Sequence, residues 1–159
     1  MVKQKQKWAI GDVIAIPLSN EQYALGQIVG QEPDIMKSVT IALFDHLINT
    51  VADVEAKSLC KPNEIYSILF VTLNHIENGK WNVLGSGSNI EIETNKMPFE
   101  SARGTGFIGA KVVGSGIVND FVEAFFGLQA WDDWKDPEYL DSLMIRTDLK
   151  PVDRLIYKD

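Results

Sequence analysis

The sequence predicts an α+β fold in which a bent antiparallel sheet, barrel-like at its N-terminal hairpin, packs against one or two helices from the C-terminal third. Apolar runs of strand length follow one another through the first half, separated by short polar breaks. A later stretch, residues 119–128, has apolar residues at the three- and four-residue spacing of a helix. A length of 159 residues fits one ordinary domain, so we expect residues 1–159 to form a single domain.

The stretch Trp8–Gly30 predicts a β-hairpin around which the rest of the chain is built. Residues 13–18 form an almost continuous apolar run of strand length. Ser19–Gln22 is a polar break of the length that joins antiparallel strands, and residues 23–29 are again strand-like. This stretch contains no nucleophile with a base and no phosphate loop, so it indicates architecture and not chemistry.

Further strands are predicted along the first half of the chain. Residues 38–44 are β-branched and apolar, and Asp45-His46 closes this third strand. Residues 65–73 are the most hydrophobic strand candidate, which predicts a central place in the sheet. Asn78-Gly79 then supplies a turn, and residues 81–85 are expected to return as the partner strand.

The clearest helix is predicted over residues 119–128. Its apolar stripe is expected to pack on the sheet, with Asp120 and Glu123 turned outward near the N-terminal end, where the macrodipole favours acids. Gly127 is expected to end this helix. The tail, residues 153–159, predicts an added edge strand.

Composition excludes several classes of protein. The chain is 45% hydrophobic and 23% charged, which is typical of a soluble globular protein, and no apolar run approaches the roughly 20 residues that span a bilayer. The lysine-bearing start leads into no apolar signal segment, so we expect a cytoplasmic protein without a membrane partner. A single cysteine, Cys60, excludes an internal disulfide and a cysteine-based zinc site, and we interpret it as a half-buried small hydrophobic residue.

The acidic charge is concentrated at the C-terminal end. Residues 1–80 carry nine acids and seven basic groups, residues 81–116 carry three of each, and residues 117–159 carry ten acids and five basic groups. These segments contribute −2, 0 and −5 to the net charge of −7. Nucleic-acid binding requires clustered Lys and Arg, so we expect no nucleic-acid partner and favour a basic protein partner.

Three patterns that resemble ligand sites each lack the expected context. Gly104–Gly109 has the spacing GxGxxG, but neither a convincing preceding strand nor a helix starting on its third glycine accompanies it. The segment from residue 85 to 116 contains seven of the twelve glycines, which predicts irregular structure. His46 and His75 are not at metal-ligand spacing, and the EF-hand pattern is absent. We therefore predict no metal, no cofactor and no catalytic residues, while a His general base remains an alternative.

An acidic-aromatic segment, residues 130–141, has the strongest functional interpretation. It contains two tryptophans, a tyrosine, five acids and one lysine. Trp and Tyr are enriched as interface anchors, and acids around them would steer a cationic partner. The predicted partner-binding residues are Trp131, Asp132, Asp133, Trp134, Asp136 and Glu138. The alternative is a helix pair whose tryptophans pack inward while the acids are a solvated face. In either case Asp136-Pro137 resembles an N-cap followed by proline in the first helical position, which predicts a short helix from Pro137 to Ser142 or Leu143.

The hairpin sequence resembles the opening of the bacterial immunity protein 26 family. The matching residues are Gly11-Asp12-Val13-Ile14-Ala15-Ile16-Pro17-Leu18 followed by Tyr23-Ala24-Leu25-Gly26-Gln27-Ile28. The segment from Gly79 to Gly85 is similar to a later tryptophan-glycine element of that family. Ile14 stands where an aromatic residue is expected, and the segment from residue 85 to 116 has no match.

This resemblance implies an immunity protein of a polymorphic toxin system, which acts in competition between bacteria. Such a protein binds a cognate toxin in the cytosol and blocks it without catalysis. The acidic charge fits a nuclease toxin, because acids can occupy a basic cleft in place of phosphate.

Two alternatives remain open. The hairpin also resembles the SH3-like barrels of messenger-RNA-cleaving toxins, although only the lysines at 3, 5 and 7 lie near it and no Arg follows Pro17-Leu18. A small-ligand-binding domain that uses the glycine-rich segment as a loop is the other alternative.

Overall fold

A five-stranded antiparallel sheet and two helices organise the part of the chain that the computed structural model describes, residues 4–31, 38–51, 60–88, 90 and 112–156. The strands are β1 (Asp12–Pro17), β2 (Tyr23–Gly30), β3 (Ser38–Ile48), β4 (Ile65–Thr72) and β5 (Asn82–Ser86). The helices are α1 (Asn74–Glu77) and α2 (Ser115–Phe125). This architecture confirms the predicted α+β class.

The N-terminal hairpin forms as predicted. β1 and β2 pair antiparallel, with Ile14 opposite Gly26. The Leu18 amide donates to the Gln22 carbonyl at 2.9 Å and closes the turn. Glu21 takes a positive φ of 71° in this turn. The alternation of apolar runs and a short polar break therefore predicted both strands and their connection.

The order of the strands in the sheet is β4-β3-β2-β1-β5. Register shifts interrupt the β1–β5, β2–β3 and β3–β4 pairings, and such bulges bend and twist a strand. Among the described residues the sheet is open, with β4 and β5 at its two edges. The SH3-like barrel expected at the hairpin is therefore not confirmed.

Two predictions about strand positions were wrong. β4 lies at an edge of the sheet and not at its centre, and β5 pairs with β1 at the opposite edge instead of with β4. The outer side of β4 is covered by other contacts: Val113 bridges to Val71, and the Ile145 amide donates to the Tyr66 carbonyl at 2.9 Å. These contacts bury an edge strand as completely as neighbouring strands would, so hydrophobicity alone misplaced it.

Helix α2 begins four residues before the predicted start. The Ser115 amide donates to the Thr72 hydroxyl at 3.0 Å, and the Ser115 hydroxyl donates to the Thr72 carbonyl at 2.8 Å. The first turn is thus held by β4, a contact that no local pattern reveals. The helix ends as predicted at Gly127, whose φ is 78°. The amide of Gly127 bonds to the Ala124 carbonyl and that of Leu128 to the Glu123 carbonyl, which is a Schellman motif.

Glu123 does not face outward, as the sequence analysis expected. Its side chain is 8% exposed and lies against the turn of the N-terminal hairpin. The Ser19 amide and hydroxyl donate to its two carboxylate oxygens at 2.7 and 2.9 Å. A carboxylate can be buried where donors satisfy it, and here the donors lie 104 residues away in the sequence.

The main core lies between one face of the sheet and α2. The ring of Tyr66 stacks on Phe125 at a centroid distance of 3.6 Å and meets Phe121 edge-on at 5.7 Å. Trp81 is fully buried, and its indole N–H donates to the Asn119 side-chain oxygen at 2.7 Å. The prediction that the phenylalanine stripe packs on the sheet is confirmed.

The opposite face of the sheet carries a smaller buried cluster that includes Leu25, Phe44 and Cys60. Cys60 is 2% exposed, and burial raises the pKa of its thiol to about 12. Cys60 is therefore a small hydrophobic residue, as expected, but it is fully buried in this cluster and not half-buried. A thiol with this pKa is protonated at neutral pH.

Regular structure is sparse after α2. Two short 3-10 helices, Leu140–Leu143 and Thr147–Leu149, follow it, so the helix expected after Pro137 is present as a turn that leads into the first of them. Leu155 forms one isolated parallel bridge with Ala130, outside the sheet. The predicted edge strand is therefore wrong for residues 153–156, and residues 157–159 lie outside the described residues. None of the described helices is long and apolar enough to span a membrane.

Candidate functional site

The acidic-aromatic segment, residues 130–141, lies directly after the end of α2. Its first residues are attached to the tail, since the Trp131 amide donates to the Leu155 carbonyl at 2.7 Å beside the Ala130–Leu155 bridge. The Tyr139 amide donates to the Asp136 carbonyl at 3.0 Å, so the middle of the segment forms a turn. The segment is thus held at both of these points, while five of its twelve residues are solvent-exposed.

Trp131 is part of the main core. Its side chain is 2% exposed, and its ring meets Phe121 of α2 at a centroid distance of 6.0 Å. The indole N–H points to an Asp141 carboxylate oxygen at 3.4 Å, and the Lys150 ammonium lies 5.7 Å from the ring centroid. Trp131 therefore fixes the segment to the helix, and its predicted role as a partner anchor stays a prediction.

Trp134 differs from Trp131 in its exposure. It is half-buried and lies against Tyr139, with 4.9 Å between the ring centroids and 49° between the planes. A partly exposed aromatic pair offers apolar surface to a partner at low entropic cost. Of the two predicted tryptophans, Trp134 is the one that a partner can contact without rearrangement of the core.

The predicted acidic residues are placed unequally. Asp133, Asp136 and Glu138 are exposed, whereas Asp132 is only 7% exposed. The Asp136 carboxylate accepts a hydrogen bond from the Glu138 amide at 3.0 Å and so stabilises the turn. Three exposed carboxylates therefore lie within six residues of the chain, two of them in the turn that begins at Asp136.

Two further acids of the C-terminal part are engaged in ion pairs. Asp141, the last residue of the segment, pairs with Lys150, and Asp148 pairs with Arg146. The guanidinium of Arg146 lowers the pKa of the Asp148 carboxyl, mainly through a side-chain hydrogen bond. Each pair cancels one acid against one cation. The three exposed acids of the segment outnumber its one exposed lysine, Lys135, so the charge of this surface is negative overall.

The two histidines lie at opposite ends of the β3–β4 pair. His46 is near the end of β3, with its Nδ1 3.6 Å from a Glu64 carboxylate oxygen. His75 is in α1, and its ring meets Trp81 edge-on at 5.4 Å. The pKa of His75 is lowered, chiefly by burial and also by Lys80. The two histidines are therefore not close to each other. No group of three metal-ligating side chains occurs among the described residues.

A cleft of about 260 Å³ lies at the open end of the N-terminal hairpin, away from its Ser19–Gln22 turn. Gln27, which is 1% exposed, donates from Nε2 to the carbonyls of Gly11 and Ser88, both at 2.9 Å. Its Oε1 atom is buried and has no hydrogen-bond partner among the residues that the structure describes. Gly87 lines the same cleft, and a side chain there would strike Gln27. The GxGxxG pattern at residues 104–109 lies outside the described residues.

Sequence reasoning missed one surface feature of the C-terminal part. Val152, Leu155 and Ile156 are 89%, 49% and 54% exposed. An apolar residue gives no sign in the sequence of whether it faces the core or water. The sequence analysis therefore placed Leu155 and Ile156 in an edge strand and assigned Val152 to no element. Their exposure is visible only once the tail is placed beside residue 130.

Comparison with known proteins gives one match. The family model described as Immunity protein 26 matches residues 9–104, which is more than half of the chain. Neither a curated protein nor a solved structure matches this chain. The matched residues contain all five strands and end before α2.

Proposed function

The chain belongs to the Immunity protein 26 family, and from this premise we propose that it is the cytoplasmic inhibitor of a cognate bacterial toxin. It acts by binding and not by catalysis. The toxin is a nuclease or another enzyme with a basic cleft, and the acidic-aromatic segment contacts it. Family membership is the single observation that carries the inhibitor function, and the charge distribution carries the choice of partner.

The electrostatic argument rests on the exposed acids Asp133, Asp136 and Glu138. A nuclease cleft carries Lys and Arg to hold phosphates, so three exposed carboxylates within six residues complement it in charge. Exposed charges at an interface act mainly on the association rate and on the choice of partner. A fast, selective encounter suits an inhibitor that must reach the toxin before its substrate does.

A rescue selection tests the inhibitor function. A genomic library of the source organism is expressed from an inducible promoter in a bacterial host, with and without this chain. We expect at least one clone that kills the host only when the chain is absent, and that clone encodes the toxin domain. If no clone depends on the chain in this way, the proposed function is wrong. Loss of RNA on incubation with the purified chain alone would instead favour the ribonuclease alternative.

The electrostatic part has its own test with the recovered toxin domain. The variant Asp133→Asn, Asp136→Asn, Glu138→Gln should bind roughly tenfold more weakly at low salt, mainly through slower association. The matched control is Glu21→Gln, Asp45→Asn, Glu77→Gln, which removes the same charge from other parts of the described surface. Equal weakening by both variants would mean that net charge matters and that the acidic-aromatic segment is not the contact.

A further inference from the structure

Three exposed apolar side chains form a patch on the tail, which we call the tail patch: Val152, Leu155 and Ile156. Seven large hydrophobic residues among the described ones are exposed, and three of the seven lie within these five positions. Single exposed hydrophobic residues are normal on a protein surface, whereas contiguous ones mark interaction sites. Val152, at 89% exposure, has almost no contact with the rest of the protein.

The tail patch is held in a defined place. The Leu155 carbonyl accepts a hydrogen bond from the Trp131 amide at 2.7 Å, and Leu155 bridges to Ala130. Arg154 donates to the Pro151 carbonyl at 3.0 Å and fixes the turn between Val152 and Leu155. Because Trp131 is itself packed on α2, the patch is connected through it to the main core. An interface built on an anchored surface costs less ordering entropy than one built on a free chain end.

The C-terminal segment that carries the tail patch is acidic overall. Residues 130–156 contain seven acids and four basic groups. Within the patch Asp153 is exposed and Arg154 is half-buried, and the nearby cation Lys150 is paired with Asp141. An apolar surface in a segment with an excess of acids complements a partner that is cationic at its edge.

We propose that the tail patch is the apolar centre of the toxin-binding surface. This inference rests on the proposed function. It differs from the sequence analysis in the residues that anchor the toxin: the tail patch supplies the apolar contact that becomes buried, in place of Trp131. The partner surface has an apolar pocket or ridge surrounded by Lys or Arg. The patch lies C-terminal to the residues shared with the family, where a surface specific to one toxin is expected to differ between members.

The test uses the full chain and the toxin domain recovered by the rescue selection. The variant Val152→Ser, Leu155→Ser, Ile156→Ser is compared with Ile10→Ser, Val51→Ser, Val112→Ser, which removes three exposed apolar side chains from other elements. We expect the tail variant to raise the Kd at least tenfold through faster dissociation, and the control to change it less than about twofold. Asp133→Asn with Asp153→Asn should instead slow association severalfold at low salt.

Several outcomes would overturn the proposal. If the wild-type chain binds the toxin and the tail variant binds equally well, the tail patch is not the interface although the inhibitor function stands. If the tail variant and its control weaken binding equally, binding depends on exposed apolar surface in general and the tail patch is not a specific contact. If the wild-type chain binds no toxin, the proposed function fails and the patch has no occupant. Should the triple variant unfold, Val152→Ser alone, at the 89% exposed position, repeats the comparison.

Discussion

The sheet and the C-terminal segment differ in how far their apolar side chains are buried. In β1, β2 and β4 almost every residue is buried, irrespective of which face it occupies. In residues 140–156, by contrast, only Leu140 is buried and four large hydrophobic residues are exposed. The described strands carry no exposed large hydrophobic residue, whereas the C-terminal segment has apolar surface left over for a partner.

The two regions also differ in what holds them together. Ladders of hydrogen bonds connect the five strands, so each strand supports its neighbours. The C-terminal segment is attached at a few points, chiefly the Trp131 ring, the Ala130–Leu155 bridge and the bond from Ile145 to Tyr66. Changes in the sheet should therefore affect the whole fold, and changes in the C-terminal segment should be local unless they reach Trp131.

Trp131→Ala is expected to have the largest effect. Removing a tryptophan that is 2% exposed leaves a cavity against Phe121, so we expect a loss of about 3–5 kcal/mol in the free energy of unfolding. Trp134→Ala is the matched variant, and its half-buried ring should cost about 1–2 kcal/mol. Urea denaturation measures both. Similar losses for the two variants would mean that Trp131 does not connect the segment to the core.

Glu123→Ala is expected to have the second-largest effect on the free energy of unfolding. It removes the acceptor of two hydrogen bonds from Ser19 and leaves a backbone amide without its partner, at a cost of about 2–3 kcal/mol. Ser19→Ala removes only the hydroxyl, and the double variant completes a cycle. We expect a coupling energy of about 1 kcal/mol between the two positions, because the pair joins α2 to the hairpin. If the losses of the two single variants simply add in the double variant, the hydrogen bond from the Ser19 hydroxyl to Glu123 adds no stability.

Gly87→Ala tests how tightly the edge of the sheet is packed. The new methyl would lie 2.5 Å from Val13 Cγ2 and 2.9 Å from Gln27 Nε2, so we expect a loss of about 1–3 kcal/mol. Gly116→Ala is the control within α2, where nothing lies within 4 Å and alanine favours the helix by about 0.5–1 kcal/mol. Thermal or urea unfolding should therefore show opposite signs, and loss of stability in both would refute the packing argument.

The smallest expected effect is a dependence on pH through His75. Because its pKa is lowered in the folded protein, the unfolded chain binds the proton more readily, and stability falls as the pH drops below about 6.5. His75→Gln should lose less stability between about pH 7.5 and about pH 5.5 than the wild type does. Urea denaturation at each pH measures the stability of both proteins. Equal losses in the two would show that groups other than His75 cause the dependence of stability on pH.

Much of the fold could be predicted because its signals are local. Two apolar runs around Ser19–Gln22 indicated the hairpin, and the phenylalanine spacing with Gly127 indicated α2 and its end. The place of β4 could not be predicted in the same way. A strand at the centre of a sheet and an edge strand covered by Val113 and Ile145 have the same composition, since both are buried.

The candidate site was predicted in part for a similar reason. Composition identified the acidic-aromatic segment, but it could not distinguish Trp131, which faces the core, from Trp134, which is half-exposed. It also placed Glu123 in solvent, although Ser19 lies against it. Each error concerns the direction of a side chain, which depends on residues distant in the sequence.

The sequence by itself determined the α+β class, the hairpin, the acidic C-terminal end and the resemblance to an immunity protein family. These follow from periodicity, charge and local motifs, which act over a few residues. Only the tertiary structure decided the strand order, the burial of Glu123 and Trp131, and the exposure of Val152, Leu155 and Ile156. Burial is a property of contacts between distant segments, and an apolar side chain that lacks such contacts becomes surface available to a partner.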